Sequence, residues 1–592
     1  MEDLHVPVGE EEKEVVKIMF EEEFNRTPYD AQIEVISQMV YSQKDHLLVR
    51  GTGGGKSGVP LGVLRMRGGV GVTVVPLLTI GSGQAVAAEA MCSDIDAHHW
   101  DEYSTLADKQ RVVAELEKIT SVEDTHVMLY ISPQSLEGKD NILEKCLEGL
   151  FKKDLITVLA VDEMHRVPLD APAFRTAFGK LQKKLVKKRS LSSRRVPLIG
   201  MTATLTKDLL EQFEKIMGVQ FSARTWTETA RRNITQKLVF SHLTLTPLMH
   251  VIETHRAESR KRKVAIFTNH ASRLKNLHTG ARKKLRRGEH AVEIEGKTGG
   301  LAKPYRLACF CEREGSNRFK HTNGVVLLGT SSASTGMDSP DVGAAAREGP
   351  PPHIVEWLQE MGRIRAQGDS NYPYEYTIAM SCAMWAKLVV RIHGKHEDDG
   401  EEESLGENAR KEQAEERKRQ DDALREVMKF LMLPTGCIHD IQERHVADPN
   451  KDPRPANPCG NKCWYCDPKL TLADDLPVDL SEAQRALRLA LDGAQKPWAA
   501  VVAALHEEKG SIWPGGGQDY AVTHTQRFFL RLVAAGIIEY SVKEPQDNHV
   551  IGKTKQKKIR AQASVVVRHA MREDKSDHAY TDRRLWAGIK LT

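Results

Sequence analysis

The sequence predicts an α/β protein with two tandem parallel-sheet lobes, a small metal-binding helical module and a C-terminal domain of helices and strands. Three observations carry this prediction. Short apolar runs alternate with helical stretches over 45–230, and the alternation restarts at 263. Four of the nine cysteines fall between Cys437 and Cys466. Alternating strands and helices bury a parallel sheet on both faces, and clustered thiols in a large chain point to metal rather than to a disulfide framework.

In the first lobe the expected strands are His46–Val49, Val70–Val75, Val127–Ile131, Thr157–Val161 and Val196–Met201. In the second they are Lys263–Thr268, Ala291–Glu295 and Gly324–Leu328. The 592 residues have room for about three or four domains. The reading places the first lobe at 1–235, the second at 236–394, a charged insertion and linker helix at 395–425, the metal module at 426–475 and a last domain at 476–592. In that domain the run RFFLRLVAAGIIEYSV reads as a helix entering a strand, consistent with a winged helix, and a basic tail follows. Trp498, Phe528 and Phe529 are expected to fill its core.

Composition excludes some classes. No run of about 18 apolar residues marks a membrane span, and the acidic start MEDLHVPVGEEEKE lacks an apolar signal segment. No membrane partner is expected. The net charge of +4 does not by itself indicate nucleic acid. Basic clusters stand at 183–189, 260–263 and 553–558, and each reads first as a solvated face.

The chemistry begins at Arg50-Gly51-Thr52-Gly53-Gly54-Gly55-Lys56-Ser57, directly after the apolar run HLLV. A Gly-rich turn between a strand and a helix aims backbone N–H groups at phosphate oxygens, and the helix N-terminus favours the negative charge. Thr52, Gly53, Gly54 and Gly55 would form the cradle. Lys56 would reach the β- and γ-phosphates of ATP, and Ser57 would hold Mg²⁺. The strict pattern has glycine six positions before the lysine, where this chain has Arg50. About a hundred residues on, Leu159-Ala160-Val161-Asp162-Glu163-Met164-His165 ends a hydrophobic strand in an acidic pair. Asp162 would hold Mg²⁺ through its water shell, and Glu163 would polarise the attacking water. His165 either couples this site to other parts or packs.

From about residue 20 to 470 these segments resemble, in order, the superfamily 2 helicases, and the RecQ-like DNA helicases in particular. DEMH resembles the family's DEAH-type box. Gln32 sits where the family has an adenine-reading glutamine, with Phe24 and Tyr29 as candidate stacking partners. Val74-Val75-Pro76-Leu77 resembles a strand-loop that touches the nucleic-acid backbone, and Leu129-Tyr130-Ile131-Ser132-Pro133-Gln134 resembles "YIAPE". Met201-Thr202-Ala203-Thr204 is similar to the TAT box that links hydrolysis to strand movement. Arg231-Arg232-Asn233-Ile234 resembles the RPN segment closing the first lobe.

In the second lobe, Ile266-Phe267-Thr268-Asn269 resembles "IYCNS". Gly329-Thr330-Ser331 through Gly336-Met337-Asp338-Ser339-Pro340-Asp341-Val342 is similar to "ATxAFGMGIDKPDV", and Gln359-Glu360-Met361-Gly362-Arg363 resembles "QEIGR". The resemblance implies two RecA-like lobes with ATP held between them, and stepping along one strand gripped by its phosphates. It also implies an arginine that neutralises charge developing on the γ-phosphate.

Two departures stand out. The family's "GRAGRDG" places its second arginine three residues after the first. Here Gly362-Arg363-Ile364-Arg365 places it two after, so Arg363 and Arg365 are both finger candidates. After the DEMH box the family has an aromatic-rich "SQWGHDFRP" loop. This chain reads Pro168-Leu169-Asp170-Ala171-Pro172-Ala173-Phe174-Arg175, keeping the phenylalanine and arginine but not the tryptophan or histidine.

Cys437, Cys459, Cys463 and Cys466 have ligand spacing for one tetrahedral Zn²⁺, with His439 or His445 as substitutes for one thiol. The family has such a module behind the second lobe, usually "CGNCxxC", and Lys462 is an addition to it. The resemblance implies an ATP-dependent 3′–5′ DNA helicase of repair or recombination. It would act on single strands and duplex junctions, in the nucleus of a eukaryote and otherwise in the cytoplasm. The rival readings are a DNA-binding protein with residual or uncoupled ATPase activity, and an RNA helicase.

Overall fold

The computed structural model describes residues 8–75, 78–100, 104–123, 125–137, 141–227, 231–241, 243–257, 262–295, 302–311, 323–330, 339, 341–365, 372–393, 407–449, 459–467, 477–478, 490, 495–507, 518–536, 538–543, 564–569 and 590–591. These fall into two compact units. The first holds Met1–Ala230 with Glu443–Arg454, and the second holds Arg231–Gln442 with Pro455–Thr592. The segment Arg231-Arg232-Asn233-Ile234, read from the sequence as the close of the first lobe, thus groups with the second unit.

The first unit is a seven-stranded sheet. Its strands are β1 (His46–Val49), β2 (Gly69–Val74), β3 (Asp96–Trp100), β4 (His126–Ile131), β5 (Ile156–Val161), β6 (Leu198–Thr202) and β7 (Ala223–Trp226), in the order β3-β4-β2-β5-β6-β1-β7. Every pairing is parallel. The central strands read as unbroken apolar runs because helices cover both faces. β1, β2 and β5 are buried at every position. α1 (Glu10–Phe24), α2 (Asp30–Tyr41) and α3 (Gly58–Arg67) share one core with β1, β5 and β6, including Phe20, Ile36, Val63, Ala160 and Ile199.

In the second unit, β8 (Thr235–Phe240), β9 (Lys263–Thr268), β10 (Glu289–Ile294), β11 (Asn323–Gly329), β12 (Val342–Glu348) and β13 (Glu375–Met380) form a six-stranded sheet in the order β10-β11-β9-β12-β13-β8. It too is parallel throughout. Its core includes Leu248, Ile266, Leu277, Val326 and Ala346. β12 carries charge inside this core. Arg347 is fully buried, paired to Glu360 and bonded to Asn269, while Tyr376 donates to Glu360 at 2.6 Å. Burial pushes the Glu360 carboxyl up to about 7 against the opposing pull of Arg347.

A long helix, Glu407–Met432, follows the second sheet, as the later part of the charged stretch suggests; residues 394–406 of that stretch lie outside the described residues. Beyond the cysteines, the helices Trp498–Glu507 and Gln518–Ala534 accompany three strands, Lys496–Pro497, Ile538–Lys543 and Ser564–His569. The strand at 564–569 lies between the other two and pairs antiparallel with both. Phe528 and Phe529 are buried, and Trp498 lies 6.5 Å from the Phe529 ring, so these aromatics do pack the core. Trp385, on the helix Cys382–His393, meets Phe529 and Tyr540 edge-on.

The basic cluster at 183–189 makes specific pairs. Lys184 meets Glu144, Lys188 meets Glu148, and Arg189 bonds Asp45. The cluster at 260–263 keeps only Arg262 and Lys263 among the described residues, and Lys263 is buried. The cluster at 553–558 lies outside them. Among the described residues no helix is long and apolar enough to cross a membrane.

Candidate functional site

In the order β5-β6-β1 three neighbouring parallel strands end side by side, and the crevice beyond such ends is where ligands of open α/β sheets bind. β5 delivers Asp162, β6 delivers Thr202, and β1 delivers Arg50, whose N–H donates to Thr202 O at 3.0 Å. The loop 50–57 then turns into α3. Gly53 and Gly55 have φ of 81° and 77°, where side chains are strained. At Gly55 a Cβ would also sit 2.8 Å from Gln32 Nε2. The Lys56 ammonium lies inside the loop and donates to Arg50 O at 2.9 Å and Gly51 O at 3.5 Å. Ser57 stands directly before the first residue of α3.

Asp162 is buried. It accepts from Gln84 Nε2 at 2.5 Å and from the Glu163 N–H at 2.9 Å. Gln84, on the helix Leu78–Met91, carried no motif in the sequence that would have marked it. Glu163 holds a left-handed φ of 44°, which turns the chain sharply after the strand. His165 is fully buried, with Nδ1 2.7 Å from Thr202 Oγ1 and 3.5 Å from Glu163 Oε2. The DEMH and TAT segments are therefore in contact.

One expectation upstream changes. Phe24 is no stacking platform: it is buried against Phe20, ring centroids 4.6 Å apart, within the core. Gln32 is buried and turned towards its own chain, donating to Gly55 O at 2.8 Å and accepting from Tyr29 N–H at 2.9 Å. It braces the loop. Tyr29 is half exposed, with the Arg50 guanidinium 4.2 Å from its ring centroid. Pro76, Leu77, residues 331–338 and Pro340 lie outside the described residues, as do the side chains of Phe174 and Arg175.

In the second unit Arg363 and Arg365 follow the helix Ile354–Met361; Arg363 is buried and Arg365 partly exposed. Arg231 donates to Ile364 O at 2.6 Å. Burial brings the Arg231 guanidinium down to about 10, and the positive charges of Arg365 and Arg363 add to the effect. The two finger candidates thus belong to a cluster of three arginines, a place suited to an anion.

The four cysteine sulfurs lie within 4.8 Å of one another. Cys463 Sγ is 3.8 Å from Cys437 Sγ and 3.6 Å from Cys459 Sγ. Tetrahedral zinc with Zn–S bonds of about 2.3 Å puts its sulfurs about 3.8 Å apart, so the donor set fits zinc. Burial opposes a thiolate at Cys437, yet hydrogen bonds from His439 and from the His439 and Asp440 backbone bring its thiol below the usual range, to about 6. His439 Nε2 lies 3.0 Å from Ile234 O, so the histidine borders the four-sulfur set rather than replacing a member.

No protein-family model matches the chain. A protein named "Putative ATP-dependent DNA helicase Q1" in Caenorhabditis elegans is 26% identical over 233 residues, 39% of this chain and 34% of that one. One of the same name in Caenorhabditis briggsae is 24% identical over 363 residues, 61% of this chain and 54% of its own. ATP-dependent DNA helicase RecQ of Bacillus subtilis (strain 168) is 22% identical over 337 residues, 57% of this chain and 51% of its own. The chain spans about half or less of these relatives' lengths. Among solved structures, the DEAD-box helicase Mss116 bound to ssRNA and UDP-BeF is similar at a TM-score of 0.50 and 15% identity, over 72% of this chain and 90% of that one.

That likeness defines the fold class, two parallel-sheet α/β units of RecA-like kind. In sequence the chain is similar, at 22–26% identity, to proteins named as RecQ-type ATP-dependent DNA helicases.

Proposed function

We propose that the chain is an ATP-dependent DNA helicase of RecQ type, translocating 3′–5′ on single-stranded DNA and opening duplex junctions. The observation that carries the reading is the strand-end constellation of the Lys56 loop, Asp162 and the His165–Thr202 contact. A cradle, a metal-holding carboxylate and a coupling element are what a nucleoside-triphosphate motor requires. Mg²⁺ would sit with Ser57 and Asp162, Glu163 would orient water, and Arg363 and Arg365 would offset negative charge in the transition state. The four cysteines would hold zinc as a structural staple. The strand order around Lys496–Pro497, Ile538–Lys543 and Ser564–His569 supports a winged helix suited to duplex ends. By the resemblance of its motifs to the RecQ-like helicases, its work would lie in repair or recombination, in the nucleus of a eukaryote and otherwise in the cytoplasm.

One observation favours a second reading, a DNA-binding protein whose ATPase is uncoupled: the segment 168–175 lacks the family's tryptophan and histidine. ATP hydrolysis measured with and without single-stranded DNA, together with unwinding of duplexes with a 3′ or 5′ overhang, separates the two. The motor reading expects stimulated hydrolysis and unwinding from the 3′ overhang. Unstimulated hydrolysis with retained DNA binding would establish the second. Stimulation by RNA in place of DNA would point to an RNA helicase instead.

A further inference from the structure

The cysteine module touches the arginine segment of the second unit. Trp464 sits between two of the cysteines, in Cys463-Trp464-Tyr465-Cys466, and Trp357 sits on the helix Ile354–Met361 that leads into Arg363 and Arg365. The two indoles are stacked, with centroids 5.8 Å apart and planes 6° from parallel. Trp357 is fully buried and Trp464 nearly so. Neither indole N–H has a hydrogen-bond partner among the described residues, so no directional bond fixes the pair. Packing alone holds it, and its geometry depends on where the cysteine loop is held.

Other contacts of the module converge on the same place. Gln236 and Gln442 exchange amide hydrogen bonds at 2.8 and 3.0 Å. Gln442 Nε2 also lies 3.7 Å from Met361 Sδ, at the end of the arginine helix. The Gln236 N–H donates to Lys462 O at 2.7 Å, and Gln236 bridges to Cys463. Arg232 pairs with Asp440 at 2.8 Å, one residue from the Arg231 that bonds Ile364 O.

We infer that Trp464 is a positioning residue for the arginine segment: the closed cysteine centre holds Trp464 against Trp357 and so sets the placement of Arg363 and Arg365. This rests on the reading of the chain as an ATPase that uses those arginines. A stacked aromatic pair suits the role because it resists sliding along the helix less by bond strength than by shape. A shift of about 1 Å in a charge-neutralising group is enough to cost roughly 100-fold in rate.

The test uses the full chain with Trp464→Ala and Trp464→Phe. The readouts are zinc content, the far-ultraviolet circular-dichroism couplet of the stacked indoles, and kcat and KM for ATP. In Trp464→Ala we expect zinc retained, the couplet lost, KM for ATP unchanged and kcat down roughly 10- to 100-fold. Trp464→Phe, which keeps an aromatic face, restores most of kcat. Stripping the metal from the wild type with a chelator abolishes the couplet, an arm that requires no variant to fold.

An unchanged kcat in Trp464→Ala, or a couplet that survives metal removal, overturns the inference. So does loss of zinc in Trp464→Ala, because the residue would then serve the metal centre instead. Failure of the underlying ATPase reading is distinct: wild-type hydrolysis would be absent, or would persist in Lys56→Ala, whatever the couplet does.

Discussion

His165 Nδ1 lies 2.7 Å from Thr202 Oγ1, and both side chains are fully buried. One residue follows the acidic pair closely and the other ends the strand beside the phosphate loop. Thr202 Oγ1 also donates to Thr204 O at 3.0 Å, so a shift at His165 reaches the whole TAT turn. Thr202→Val, which keeps the volume and removes the hydroxyl, should therefore lower DNA stimulation of hydrolysis about 10-fold, with the KM for ATP unchanged. Steady-state kinetics with and without single-stranded DNA check this. Equal stimulation in the variant and the wild type would sink the coupling role.

Lys56 and Arg50 should behave oppositely. Lys56→Ala removes the ammonium of the cradle and should reduce hydrolysis roughly 100- to 1,000-fold without unfolding the chain. Arg50 covers one face of Tyr29. A cation–π contact of about 0.5–1 kcal/mol must yield before a base stacks on that face, so Arg50→Met should lower the KM for ATP about 2- to 5-fold at unchanged kcat. A raised KM would mean that the guanidinium grips the nucleotide instead.

Acid should weaken the first unit through His46. Its ring is buried on β1 against Thr225, and burial lowers its pKa from 6.5 to about 3, with Lys44 adding a little. The unfolded chain takes up a proton below about pH 6.5 and the folded chain does not until about pH 3. The stability tied to neutral His46 is therefore complete above 6.5 and is lost as the pH falls through that window. At pH 5 the loss is about 2 kcal/mol. His46→Gln should flatten that part of the pH dependence, as read by thermal melts at pH 7 and pH 5. A parallel decline in the variant would assign the effect elsewhere.

Elemental analysis should find about one zinc per chain, since four thiolates complete one tetrahedral shell. Cys463→Ser removes the sulfur nearest two others and should abolish binding and lower the melting temperature. A variant that keeps its zinc would mean that His439 can enter the shell.

Strands buried on both faces were legible because burial demands continuous apolar runs, and Lys263–Thr268 is recovered to the residue. Two of the missed strands break that rule. β3 reads DAHHW and lies at a sheet edge with only Trp100 buried. β12 ends in Arg347 and Glu348, whose charges are met by Glu360 and Arg273 from elsewhere in the chain. No local pattern announces such compensation. The site divides likewise: GTGGGKS and DE are local signatures. The inward turn of Gln32, the third arginine and the Trp357–Trp464 stack arise from residues distant in sequence. The expectation for Phe24 failed because an aromatic near a motif is more often core than platform.

Trp226, on the edge strand β7, donates its indole N–H to Val446 O at 2.8 Å, across 220 residues of sequence. During synthesis at about 5–20 residues per second, that partner emerges roughly 10–45 s after the tryptophan. The Trp226 N–H thus waits for an acceptor made long after its sheet. A chain ending at Ala230 would never receive it. Fragments cut after residue 230 are therefore expected to be less stable and more aggregation-prone than the intact chain.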